Sequence, residues 1–425
     1  MKNLFTKLSL VIKDRVLRRR ILFVVGALVV FRILATIPVP GVDALKLQAF
    51  LSGSAGDIFG LFNIFSGGGL SNLSIVMLGV SPFITASIVM QLLTMIFPKL
   101  KQIYQEEGEV GRAKFSQYSR LLTVPLSILQ AGGFLLLLQK SGAIVHLTSL
   151  DLITNIVIVV AGSLLLMWIG ELMTEFGIGN GTSLIIFSGI VAHLPTTISR
   201  TFVTFSAAQI PLYVGFIVAA VLIIWGVVMV TEAERPIPIT YAKRVRGSKV
   251  YGGVSTYLPL RLNQAGVIPI IFALSILLFP QMIFQFLSTA SNATVQAFSA
   301  GALKFLTNDW FHSILYFILV FLFTYFYTAV TFDPYAISDN LQKNGAFIPG
   351  VRPGQSTSEY VAKVLTRITL VGALFLGLIA VLPLAFKGIT GIQSLAIGGT
   401  ALLIVVSVVI DLIKKIDAQV SMREY

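Results

Sequence analysis

Apolar residues run in long blocks along this chain, separated by short polar stretches, and the blocks are about as long as a membrane is thick. A helix needs about 20 apolar residues to cross roughly 30 Å of hydrocarbon. Blocks of this kind cover residues 21–37, 75–97, 118–138, 152–172, 182–203, 211–231, 266–289, 312–332, 367–386 and 392–413, which predicts ten spanning helices. Ahead of the first block, Leu4, Phe5, Leu8, Val11 and Ile12 recur at helical spacing among lysines. That is the pattern of an amphipathic helix lying in the membrane interface, over residues 1–20. The block from Ile21 to Ile37 follows a basic stretch, as a secretion signal would, but "IPVPG" comes after it instead of a small-residue cleavage site. It reads as a first span. The expected division is 1–20, a first half over 21–203, a second half over 204–413, and a cytoplasmic tail over 414–425.

Two blocks share a motif: Gly-Val-x-Pro-x-Ile stands at 79–84 and again at 266–271. Glycine and proline both weaken a helix interior, so a repeat of both calls for a reason. With five spans per half, two equivalent halves have opposite orientations. The motif then falls on antiparallel spans 2 and 7, as in the inverted repeats of many transporters.

Composition agrees with the pattern: 56% of the 425 residues are apolar and 12% charged, against roughly 45–50% and about 25% in soluble domains. Charge adds the orientation. With residues at span ends assigned to the nearer side, 25 of the 31 Lys and Arg fall on one face and 5 on the other, and Arg32 lies within span 1 with room to snorkel. The positive-inside rule makes the rich face cytoplasmic, and with it both termini. No cysteine is present, which excludes disulfides and thiol chemistry.

Three connections are not ordinary loops. In "DIFGLFNIFSGGGLSNLS", Asp57 is a candidate N-cap. Ile58, Phe59, Leu61, Phe62, Ile64 and Phe65 follow it as an apolar stretch of about 13–14 Å, too short to cross. Gly67, Gly68 and Gly69 end it and free the backbone. Either a static re-entrant half-helix or a hinged element fits. On the cytoplasmic face, residues 232–264 alternate in a way that suggests a β-hairpin bearing Arg235, Lys243, Arg244, Arg246 and Lys249. Residues 333–366 contain "NGAFIPGVRPGQST", a Pro/Gly turn presenting Arg352. Both loops are longer than topology requires, and both suit an anionic partner such as rRNA or an acidic protein surface.

Several chemistries lack their parts. No GxxxxGK[ST], HExxH or GxSxG occurs, so ATP hydrolysis and common hydrolytic mechanisms are not supported, and no cofactor or metal site is expected. "GIGNG" at 177–181 sits at a turn between spans. No acidic residue lies in mid-span to carry a coupling ion: Glu171 and Asp411 are at span ends.

Long segments, among them "RRRILFVVGALVVFRILATIPVPGVD", "FNIFSGGGLSNLSIVMLGVSPFITASIVMQLL", "GIGNGTSLIIF", "LPLRLNQAGVIPIIFALSILLFP", "DNLQKNGAFIPGVRPGQST" and "GGTALLIVVSVVIDL", resemble the SecY family of protein-conducting channels in its bacterial form. The likeness runs from about residue 15 to 415. It implies an all-α integral membrane protein, ten helices in two inverted five-helix halves around a central pore, in the bacterial plasma membrane. By position the pore ring would be Val80, Ile84, Thr182, Ile186, Ile271 and Ile404. Thr182 departs from the family's aliphatic pattern. Residues 57–70 match the family's plug, with Gly67 to Gly69 as its hinge. Spans 2 and 7 match the lateral gate, where Thr85, Gln91, Asn180 and Asn263 are expected to form interhelical hydrogen bonds and Phe279 faces Thr85. The resemblance further implies no enzymatic activity and a set of partners: the small membrane subunits SecE and SecG, the SecA ATPase or a ribosome on the basic loops, preprotein signal sequences, membrane lipids, and accessory SecDF and YidC. An inverted-repeat secondary transporter of a small solute is the alternative. It requires a polar mid-membrane cage that the sequence does not offer.

Overall fold

The computed structural model describes residues 14–41, 66–70, 73–105, 107–140, 144, 148–203, 210–241, 244–246, 249–251, 255–266, 268–288, 292–306, 308–390 and 393–421. The ten expected spans correspond to α1 (Arg15–Leu34), α2 (Ser81–Ile96), α4 (Gly108–Lys140), α5 (Ser149–Phe176), α6 (Gly181–Val203), α7 (Ile210–Glu232), α8 (Ile268–Leu287), α10 (Asp309–Thr331), α12 (Gln355–Thr390) and α13 (Gln393–Ser421). Three shorter helices, α3 (Pro98–Gln105), α9 (Ala293–Leu306) and α11 (Pro334–Lys343), lie between them. Exposed rows such as Leu22, Val25 and Val29 on α1 and Ile217, Val221 and Trp225 on α7 face outward. In a multi-pass membrane protein these are the lipid-facing stripes.

Several helices overrun their apolar blocks because the backbone hydrogen-bond ladder does not end at the membrane surface. Residues 15–20 belong to α1, whose N-terminus is capped by Asp14 accepting from the Val16 N–H at 2.9 Å. They are not part of a separate interfacial helix, whose apolar residues 4–12 lie outside the described residues. Residues 414–421 of the expected tail likewise continue α13 as helix. Span 2 is shorter than expected. Residues 75–80 form successive tight turns, and after α2 the chain bends by 115° into α3 at Phe97.

The helix pairings of the two halves match. In the first half α1 packs on α5 and α6, α2 on α4, α4 on α5, and α5 on α6. In the second half α7 packs on α12 and α13, α8 on α10, α10 on α12, and α12 on α13. Each pairing of the second half is one of the first displaced by five spans, which an inverted repeat requires. The halves meet where α8 touches α2 and α4, and where α13 touches α6.

The repeated motif lies at two helix starts. Gly79 and Gly266 both have a left-handed backbone, φ 59° and 62°, which glycine adopts without a Cβ penalty. Two residues later each helix begins, with Pro82 and Pro269 in the first turn. The first-turn N–H groups have no intrahelical partner, so proline loses nothing there. The expectation of a weakened helix interior is thereby corrected: the motif is a helix-initiating turn used twice. In the first copy the turn is buried, with Val76, Met77, Leu78 and Val80 at 0% exposure. The Gly79 carbonyl, deep in protein, accepts from the Ser163 hydroxyl of α5 at 2.9 Å. Irregular backbone at this depth is tolerated because protein surrounds it.

Between α7 and α8, β1 (Glu234–Tyr241) pairs antiparallel with β4 (Ser255–Arg261), enclosing a smaller hairpin of β2 (Arg244–Arg246) and β3 (Lys249–Tyr251). Strand β5 (Ala346–Phe347), from the other long loop, adds to β1 by Thr240↔Phe347 and Tyr241↔Ala346. The two loops thus share one sheet. Beneath it Ile237, Leu260, Ile348, Val361, Val364 and Ile368 form a second small core.

Candidate functional site

Five aliphatic side chains, drawn from both halves, are buried on helices that take part in the contact between the halves. Val80 precedes α2 and Ile84 lies on it, Ile186 is on α6, Ile271 on α8 and Ile404 on α13, four of the five helices through which the halves touch. None is more than 8% exposed, and all five belong to one continuous buried cluster. Branched aliphatic groups offer no hydrogen bonds and suit a constriction that excludes water and ions. Thr182 is placed elsewhere. It sits in the first turn of α6, its hydroxyl donating to Asn180 Oδ1 at 2.6 Å. Its methyl lies where a Cβ on Gly170 of α5 would meet it at 3.2 Å. Its polar character follows from a cap and not from the cluster.

The polar residues assigned to the gate make local bonds. Thr85 Oγ1 donates to the Ser81 carbonyl at 3.0 Å, one turn back in the same helix. Asn180 Oδ1 accepts from the Thr182 and Ser183 N–H groups at 3.1 and 3.3 Å. Asn263 Nδ2 donates to the Gly266 carbonyl at 3.1 Å. The expectation of interhelical bonds is corrected for these three. A hydroxyl or amide beside a helix terminus finds a backbone partner nearer than the facing helix. Gln91 Oε1 and Asn263 Oδ1 are buried without a hydrogen-bond partner among the described residues. Phe279 is half-buried on α8.

Residues 57–65, with the plug candidates Asp57, Ile58, Phe59, Leu61, Phe62, Ile64 and Phe65, lie outside the described residues. The glycine turn that follows them in sequence is described, and it is tightly seated. Gly67 and Gly68 are left-handed, φ 67° and 86°. A Cβ on Gly69 would stand 2.8 Å from the Val76 carbonyl oxygen. Arg32 does not snorkel. Its Nη1 donates to the Gly67 carbonyl at 3.2 Å, and its Nη2 to the Ser188 and Gly189 carbonyls of α6 at 2.8 and 3.4 Å. A charge within an apolar span is a functional signal by default, and here the sequence carried that signal.

Of the docking candidates, Arg235 is exposed on β1 and Arg352 is exposed on its turn. Arg244, Arg246 and Lys249 lie on the inner hairpin, and Lys243 lies outside the described residues. The turn is rigid. Gly350 and Gly354 are left-handed, φ 83° and 97°. Thr357 Oγ1 donates to the Arg352 carbonyl at 2.8 Å, and Ser338 Oγ of α11 to the Gly354 carbonyl at 2.6 Å.

Among solved structures, one described as the structure of a protein conducting channel is similar with a TM-score of 0.67 at 19% identity, covering 96% of this chain and 93% of that chain. Sec61 in the canine ribosome-channel complex from the endoplasmic reticulum gives a TM-score of 0.63 at 18% identity over the same shares. These likenesses show the fold. Sequence goes further: the protein translocase subunit SecY of Mycobacterium tuberculosis (strain ATCC 25618 / H37Rv) is 42% identical over 96% of both chains. The family profile described as SecY matches residues 74–413, more than half the chain, and with that relative it shows that this chain belongs to the SecY family.

Proposed function

We propose that the chain is the channel subunit of a bacterial plasma-membrane protein translocase, passing unfolded preproteins across the bilayer and releasing apolar segments sideways into lipid. The observation that carries this reading is the 42% identity over 96% of the chain to a protein translocase subunit. The aliphatic cluster of Val80, Ile84, Ile186, Ile271 and Ile404 supports a closed neck between the halves, and the contact of α2 with α8 supports a lateral seam. Selection at that seam is partitioning: Leu gains roughly 0.3–0.6 kcal/mol at a helix centre, whereas Lys or Asp loses about 2.5–3.5. Residues 57–70 act as a plug on the neck. SecE and SecG complete the channel, and SecA or a ribosome on the basic loops supplies the driving force.

The test uses the cysteine-free chain with SecE, SecG and SecA in vesicles. Thr85→Cys with Phe279→Cys is expected to form an oxidant-dependent crosslink that blocks preprotein transport and is reversed by reduction. Efficient crosslinking with unchanged transport rejects the gate. Uptake of a small solute by the purified chain alone supports the transporter reading instead. Arg352→Glu is expected to abolish SecA-driven transport, and normal transport rejects docking at that turn.

A further inference from the structure

The glycine turn at 66–70 is fixed differently on its two sides. Downstream, the Gly69 carbonyl accepts from both the Ser74 N–H at 2.9 Å and the Ser74 hydroxyl at 3.0 Å, and the Leu70 N–H donates to Ser66 Oγ at 3.2 Å. These bonds lie within the connection itself. Upstream, the Gly67 carbonyl is held across to α1 by Arg32, whose other nitrogen grips two carbonyls of α6.

Space is as tight as the bonding. A Cβ on Gly189 would stand 2.1 Å from the Gly67 Cα, one on Gly67 would stand 2.4 Å from the Phe31 ring, and one on Gly68 would stand 2.4 Å from His193 Nε2. Gly67 therefore fits only while α1, α6 and the turn are in register. The guanidinium fixes that register. Its planar fork reaches acceptors on two segments at once, where an ammonium acts as a single point. Leaving one of its donors unbonded in apolar surroundings is costly, so its hold on Gly67 is coupled to its hold on α6.

We infer that Arg32 is a latch: a positioning residue that ties the glycine turn to α1 and α6 in the resting channel, and must release Gly67 before the turn can change shape. The inference rests on the reading of this turn as the plug's hinge.

The assembled channel in vesicles tests it, with Ser66→Cys as the only cysteine, at a position that is 0% exposed. The probe is a membrane-impermeant maleimide added on the side opposite the basic loops. Arg32→Gln is expected to speed labelling of that cysteine at least about tenfold, as loss of a charged hydrogen bond implies, with Arg32→Lys in between. Resting ion leak without preprotein rises in parallel. If Arg32→Gln does not fold, Gly189→Ala keeps the arginine and wedges the turn, and is expected to give the same acceleration. Unchanged labelling in a folded variant overturns the latch. Removal of residues 57–65 separates the two readings. If it leaves the leak unchanged, the plug reading fails while the labelling result stands. If it raises the leak and Arg32→Gln does not speed labelling, the latch fails and the plug remains.

Discussion

Gly266 has φ 62° and open space where a Cβ would go, so Gly266→Ala isolates the backbone cost of a left-handed turn. The expected loss is about 1–2 kcal/mol, read as a lower unfolding midpoint of the solubilised chain. Its companion Pro269→Ala is expected to lose only about 0.4–1 kcal/mol, through the entropy of the unfolded chain. An equal or larger loss for the proline rejects the assignment of the motif to helix initiation. Gly162→Ala is of a different kind. Its added Cβ would stand 2.1 Å from the Ile75 carbonyl oxygen, backbone against backbone, and the expected cost is about 3 kcal/mol or more. At this scale the sequence was readable in part. A repeated Gly and Pro announced that something recurs, and Arg32 announced a charge in an apolar span. Neither carried its partner, because Ser188 and Gly67 come within reach of Arg32 only through the packing of α1, α6 and the connection.

Among the elements, the turn that presents Arg352 shows how a loop acquires a fixed shape. Thr357 is 2% exposed and holds the Arg352 carbonyl from the first turn of α12. Thr357→Val keeps the volume and the surface charge but removes that bond, worth about 1 kcal/mol. SecA affinity is expected to fall about fivefold while its dependence on salt stays the same, since no exposed charge changes. A shallower salt dependence instead rejects the view that the bond acts through shape. The existence of the ten spans was legible, because a hydrocarbon slab imposes one length and one composition on whatever crosses it, whereas the short helices α3, α9 and α11 were not read. Ends were less legible: hydropathy reports where lipid stops, and α4, α12 and α13 continue past that point. The bend at Phe97 and the shared strand β5 depend on contacts between distant segments, which periodicity does not encode.

For the whole molecule, the 25 to 5 division of basic residues predicts which face each surface occupies. With single cysteines, Tyr257→Cys on β4 is expected to react only from the cytoplasmic side, and Phe298→Cys on α9 only from the other; both native side chains are well exposed, 67% and 70%. The reverse pattern overturns the orientation.

The shared sheet has a mechanical consequence. Strand β1 leaves α7 after one residue, and the Leu262 N–H, just beyond β4, closes the ladder on the Ala233 carbonyl at 2.8 Å. The Leu262 carbonyl rests against α12, where a Cβ on Gly372 would meet it at 2.6 Å. Six residues later α8 begins. Leu262 thus ties the sheet to α12 just ahead of α8, and a test is available: a tag bound to the exposed sheet is expected to change the Thr85→Cys/Phe279→Cys crosslinking rate, and an unchanged rate rejects mechanical coupling between them.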